Sequence, residues 1–170
     1  MARVILTAVG ADRPGLVGEL TGHLHAAGAN IVDTRMVNLR GRFAVIMLME
    51  LADAAGIRRA LAAAEQMGLT VHAEESAAPA AGKPGVPFRL KTYSLDQPGL
   101  VHRISEVLRT HGVNIEELTA RQESAPFAGD PLFIMEMRLT VPANVGVKKL
   151  RGDLEAVCET VNADLDLEPA

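Results

Sequence analysis

Two tetrads of one design carry the chemistry of this chain: Asp12-Arg13-Pro14-Gly15 and Asp96-Gln97-Pro98-Gly99. In each, the proline is preset for the first turn of a helix, and the glycine has no side chain to keep a ligand from the backbone. Backbone N–H groups freed at such a helix start can hold a carboxylate. The aspartate before the proline can cap the helix or accept a hydrogen bond from a ligand ammonium group. Leu16 and Leu100 follow directly, and Asn30 and Asn114 lie fifteen residues beyond the two glycines. Each asparagine offers an amide donor and a carbonyl acceptor where a new strand begins. Together these groups suit a zwitterion. A plainer role stays open, with Asp12 and Asp96 as helix caps and the asparagines as residues that tolerate a left-handed turn.

Other candidate chemistries are weaker. His23 and His25 point about 200° apart on a helix, so they do not converge on one metal. His102 and Ser105 could touch, but no positioned acid completes a triad. Met47 with Met49 and Met135 with Met137 could offer thioethers to Cu(I), yet alternation on strands beside Phe43 and Val45 reads as core packing. Cys158, the only cysteine, leaves no intrachain disulfide and sits on an apolar stripe as a small hydrophobe. Arg40-Gly41-Arg42-Phe43-Ala44-Val45 faintly resembles an RNA-binding strand, but Arg42 and Ala44 stand where rings are needed. No catalytic residues, metal ligands or cofactors are expected, and the chain is read as not an enzyme.

The elements that position these groups are written twice. At an offset of 84, Asp12–Val17 recurs as Asp96–Val101, Gly28–Ile31 as Gly112–Ile115, and Leu20 and Leu24 as Ile104 and Leu108. In the first copy Val4, Leu6 and Ala8 alternate towards a core, predicting a strand. Leu16, Leu20, Leu24 and Ala27 predict a helix ended by Gly28. Residues 31–39 and 43–51 read as a hairpin joined at Arg40-Gly41-Arg42. Asp53 is expected to cap a second helix carrying Ile57, Leu61 and Ala64 and ended by Gly68, before a strand over 70–74. The second copy repeats the order with strands near 88–93, 115–122, 132–141 and 164–167. Its second helix carries Val147, Leu150, Leu154, Val157 and Val161, with Asn144 as the expected cap. Aligning Phe43 with Phe133 needs an offset of 90, so the loop over 124–131 holds six extra residues. The predicted fold class is α+β: two ferredoxin-like βαββαβ domains in tandem, over 1–75 and 88–170, joined by a Pro/Gly-rich linker over 76–87.

Composition agrees with a folded, water-soluble chain. Of 170 residues 48% are apolar and 22% charged, enough to bury a core. Seventeen basic against twenty-one acidic residues give a net charge of −4, opposite to the footprint of direct nucleic-acid binding. No apolar run spans a membrane and the start lacks the pattern of a signal peptide, so a cytoplasmic location without membrane contact is expected.

The D-R-P-G-L-V motif, the G-A-N-I that follows it, the hairpin and the second helix resemble the ACT domain, a small amino-acid-binding regulatory module. Two such domains with no catalytic domain attached resemble the glycine cleavage system transcriptional repressor family. The resemblance implies ligand contacts at Asp12, Arg13, Gly15, Leu16 and Asn30, and at Asp96, Gln97, Gly99, Leu100 and Asn114. The strand-to-helix loop of one domain would face the asparagine-bearing segment of another. Gln97 replaces Arg13, so the two sites are not expected to be equivalent. The function implied is amino-acid sensing, with glycine or serine as ligand and a protein partner such as a DNA-binding regulator. A regulatory subunit of an amino-acid biosynthetic enzyme and a ligand-free interaction module are the alternatives.

One further expectation concerns surfaces. Ile5, Val9, Ile46 and Leu48 alternate with the core positions of the first copy and should lie on the outer face of its sheet. Their counterparts Arg89, Tyr93, Glu136 and Arg138 suit water. The apolar face is expected to form a homodimer interface or a permanent contact between domains.

Overall fold

The computed structural model describes residues 2–51, 54–76, 84–95, 98–124 and 131–170. These divide into two compact units, Met1–Ala81 and Gly82–Ala170. The first contains β1 (Ala2–Ala11), α1 (Leu16–Ala26), β2 (Ala29–Leu39), β3 (Arg42–Leu51), α2 (Ala54–Gln66) and β4 (Thr70–Glu75). The second contains β5 (Gly85–Leu95), α3 (Leu100–Thr110), β6 (Asn114–Ser124), β7 (Pro131–Pro142), α4 (Val147–Glu159) and β8 (Ala163–Pro169). Each is βαββαβ, and its four strands form an antiparallel sheet of order β2-β3-β1-β4 or β6-β7-β5-β8.

Strand periodicity sets the phase of both sheets. In the first unit Val4, Leu6, Ala8, Phe43, Val45, Met47 and Met49 are buried with Leu16, Leu20 and Leu24 of α1 and Ala60 and Ala64 of α2. The helices therefore cover the face these strand residues share. In the second unit Leu90, Met135, Met137 and Leu139 cluster with Ile104, Leu108, Leu150, Leu154 and Cys158. All four strand methionines named in the sequence are core residues.

The first hairpin closes with Arg40 at φ 50° and Gly41 at φ 79°. Two successive positive φ values match the twist of the flanking strands, which fixes the register of Leu39 opposite Arg42.

Several boundaries and caps depart from expectation. Gly85, Val86 and Pro87, placed in the linker by composition, pair with Pro142, Val141 and Thr140 and belong to β5. The long partner strand β7 supplies ladder positions that composition does not reveal. Asn144 does not cap α4. The preceding residue is Gly146, extended at φ −71° and ψ 101°, and no side chain hydrogen-bonds the helix start. A turn closed by Val145 N–H to the Pro142 carbonyl intervenes instead. In α2 the buried positions are Gly56, Ala60 and Ala64, while Ile57 and Leu61 are only partly buried, because small residues bring this helix close to its sheet. Asp53, the core of the linker and residues 125–130 of the inserted loop lie outside the described residues.

Both second strands carry a feature the sequence did not announce. The register of β2 shifts between Ile31 and Asp33, and that of β6 between Ile115 and Glu117. Val32 and Glu116 are the extra residues, so each copy has a β-bulge just after its asparagine.

Candidate functional site

The starts of α1 and α3 are built alike. Gly15 stands at the N-cap of α1 with φ 84°, and Gly99 at that of α3 with φ 91°. A side chain at either position would be strained by the left-handed backbone. Neither helix start receives a side-chain hydrogen bond. The aspartate before the first proline is therefore not the cap. The Asp12 carboxylate instead accepts a hydrogen bond from Asn38 Nδ2 of β2, and the Asp12 N–H donates to the Gly41 carbonyl at 2.9 Å. Gly41 N–H in turn reaches Asn38 Oδ1 at 3.2 Å. Asn38 thus ties the β1–α1 loop to the tip of the hairpin. Nothing local in the sequence pairs these residues, since they lie on separate elements.

Arg13 forms an exposed ion pair with Glu19 one turn into α1. Leu16 and Leu100 are buried core residues that anchor the first turn of each helix. Asp96 and Gln97 lie outside the described residues.

The asparagines are exposed but distant from these loops. Asn30 lies opposite Glu50, and Glu50 opposite Arg3 at the start of β1. From Arg3 to Asp12 the strand runs nine residues, about 30 Å at roughly 3.3 Å per residue. Asn114 lies opposite Thr140, which pairs with Pro87 near the start of β5. Its loop follows the other end of that strand. Strand, helix and next strand reverse direction in turn, so each unit puts its helix start and its asparagine at opposite ends of the sheet.

The two asparagines also differ in their surroundings. Asn114 Nδ2 donates to the bulged Glu116 carboxylate at 2.8 Å. That bond, with another from Thr140, holds the Glu116 carboxyl below the usual carboxylate range. In the first unit Val32 fills the bulge and supplies no acceptor. Among the described residues, the Asn30 side chain has no hydrogen-bonding partner.

Residues 2–74 match the family model for the ACT domain. The second unit repeats the topology of the first. Over 166 residues it is 29% identical to the glycine cleavage system transcriptional repressor of Escherichia coli (strain K12), covering 94% of this chain and 86% of that one. Among solved structures, an unknown protein from Galdieria sulphuraria matches with a TM-score of 0.87 at 27% identity, over 99% of this chain and 98% of that one. A structure described as a candidate glycine cleavage system transcriptional repressor shares the fold, with a TM-score of 0.71 at 20% identity and coverage of 98% and 96%.

The outer faces of the two ACT-like sheets contrast as their sequences suggested. In the first, Ile5 pairs with Leu48, and Val9 and Ile46 are 41% and 47% exposed. Ile5, Ile46 and Leu48 line a shallow depression bordered by Asp33 and Arg35. In the second, ion pairs cross the face: Arg89 with Glu168, Lys91 with Glu136, Arg121 with Glu136, and Arg138 with Glu117. Lys91, then Arg121, keeps the Glu136 carboxyl below its usual range. Such a face satisfies its own charges in water.

Cys158 is buried at 2% exposure. Burial, followed by the charges of Asp164 and Glu155, pushes its thiol up to about 11. Among the described residues, no group of three or more His, Cys, Asp or Glu could hold a metal ion, and no helix is long and apolar enough to cross a membrane.

Proposed function

We propose that the chain is a non-catalytic, amino-acid-sensing regulator that acts through a protein partner. The observation that carries this reading is that an αL glycine opens the start of both α1 and α3 and no side chain caps either. Such a start attracts a carboxylate through its N–H groups and its dipole. The similarity along nearly the whole chain to a named transcriptional repressor supports the regulatory role.

A helix start and an asparagine separated by the length of a sheet cannot grip one small molecule within one domain. The ligand, glycine or serine, is therefore held by paired domains. The Asp12–Leu16 loop or its Asp96–Leu100 counterpart meets the carboxylate, and Asn30 or Asn114 comes from the domain opposite. The apolar outer face around Ile5, Val9, Ile46 and Leu48 is the proposed homodimer surface. With a net charge of −4, the chain reaches DNA through a DNA-binding partner in the cytoplasm rather than directly.

A thermal-shift screen of the full chain against the twenty amino acids tests the sensing step. Capture from lysate with and without the stabilising amino acid tests the partner. A DNA-binding regulator among the captured proteins supports a repressor, whereas a biosynthetic enzyme favours the subunit reading. No shift with any amino acid favours a ligand-free module.

A further inference from the structure

The row Arg3–Glu50–Asn30 crosses three strands at the open end of the first sheet. Arg3 Nε donates to Glu50 Oε1 at 3.0 Å, and Arg3 Nη2 lies 3.0 Å from the same oxygen. Glu50 Oε2 has no hydrogen bond among the described residues, and Asn30 stands directly opposite. Side chains of facing residues on one sheet face have Cβ atoms roughly 4.5–5.5 Å apart, so one small group can touch both. An anionic oxygen beside an amide carbonyl is an acceptor pair for an ammonium group. The corresponding row of the second sheet, Pro87–Thr140–Asn114, has no carboxylate in its middle, and Asn114 already donates to Glu116.

We propose that Glu50, oriented by Arg3, is the specificity residue that receives the α-ammonium of the ligand together with Asn30, and that the second repeat lacks this subsite. This rests on the sensing reading and deepens it. The site then requires a free amino acid rather than any carboxylate, and each chain binds one ligand through Asn30 rather than two. Arg3 holds Glu50 turned along the row. The amide of Asn30 remains free to donate to the ligand carboxylate.

The test is calorimetry of the full chain with the amino acid selected from all twenty, together with its N-acetyl derivative. Expected are one site per chain, no binding of the N-acetyl form, and a ten- to hundredfold loss in Glu50→Gln, as for removing a hydrogen bond between charged groups. The Glu50 side chain is partly exposed, and unchanged circular dichroism confirms folding. Glu50→Gln should also lose the discrimination between free and N-acetylated forms, which a merely structural role would not alter. Two equal sites per chain, or unchanged affinity in Glu50→Gln, overturns the proposal while leaving sensing intact. Absence of binding by all twenty amino acids overturns the sensing reading itself.

Discussion

Asn38 donates its side-chain amide to the Asp12 carboxylate across 26 residues of chain, joining the edge strand β2 to the loop that begins α1. The bond settles which role Asp12 has in the fold. It anchors the junction from outside and leaves the helix start uncapped. Asn38→Ala should cost about 1 kcal/mol, since the pair is exposed and screened. It should also speed hydrogen exchange at the Asp12 amide, whose acceptor is the Gly41 carbonyl. Unaltered exchange would mean that the loop holds its shape without Asn38.

The second core contains two hydroxyls that the first lacks. Thr92 and Ser94 are 0% and 3% exposed, and neither hydroxyl has a hydrogen-bond partner. Their counterparts are Ala8 and Gly10 at the offset of 84. At Gly10 a Cβ would lie 2.6 Å from Leu69 Cδ2, whereas Ser94 faces the smaller Ala163. An orphaned buried hydroxyl costs roughly 1–3 kcal/mol. Thr92→Val, nearly the same shape, should raise stability by about 1 kcal/mol or more in urea unfolding. A lower midpoint would show that the hydroxyl is paid for by a partner such as buried water.

The fold was legible where the periodicity was local. Leu16, Leu20 and Leu24 mark a helix by spacing alone, and alternation in β1 and β3 gave the correct face for Ile46 and Val9. The repeat added a second reading of each element. What escaped notice depends on residues far apart in the chain: the Asn38–Asp12 bond, the extension of β5 along β7, and the bulges at Val32 and Glu116. Asn144 failed as a cap because a turn delays the helix to Val147. The distance between Asp12 and Asn30 could have been read from topology, since a strand, a helix and a second strand must alternate in direction.

Cys158 should behave as a buried hydrophobe. At pH 8 its thiol, pushed up to about 11, is protonated, and alkylation should be far slower in the folded chain than in urea. Its unfolded value is near 9.0. The folded state favours the protonated thiol, so this contribution to stability is fully present below pH about 9 and is lost as pH rises through about 11. Comparison with Cys158→Ala over that window isolates it. Equal pH dependence of the two chains would refute the assignment.

The apolar face of the first sheet predicts self-association. Replacing Ile46 and Leu48 with lysine removes two aliphatic side chains from the centre of that face, worth roughly 3–6 kcal/mol of burial before association costs. Sedimentation should then show a folded monomer. An unchanged dimer would place the interface elsewhere.

The central claim, that an uncapped helix start receives an amino-acid carboxylate, is tested most directly by nuclear magnetic resonance titration of the labelled chain with glycine and with serine. The account predicts saturable shifts at the backbone amides of Val17 and Gly18 and at the side-chain amide of Asn30, the backbone shifts lost in Asn30→Ala at the same ligand concentration. Saturable shifts confined to other surfaces, or none at those amides with any of the twenty amino acids, would contradict it.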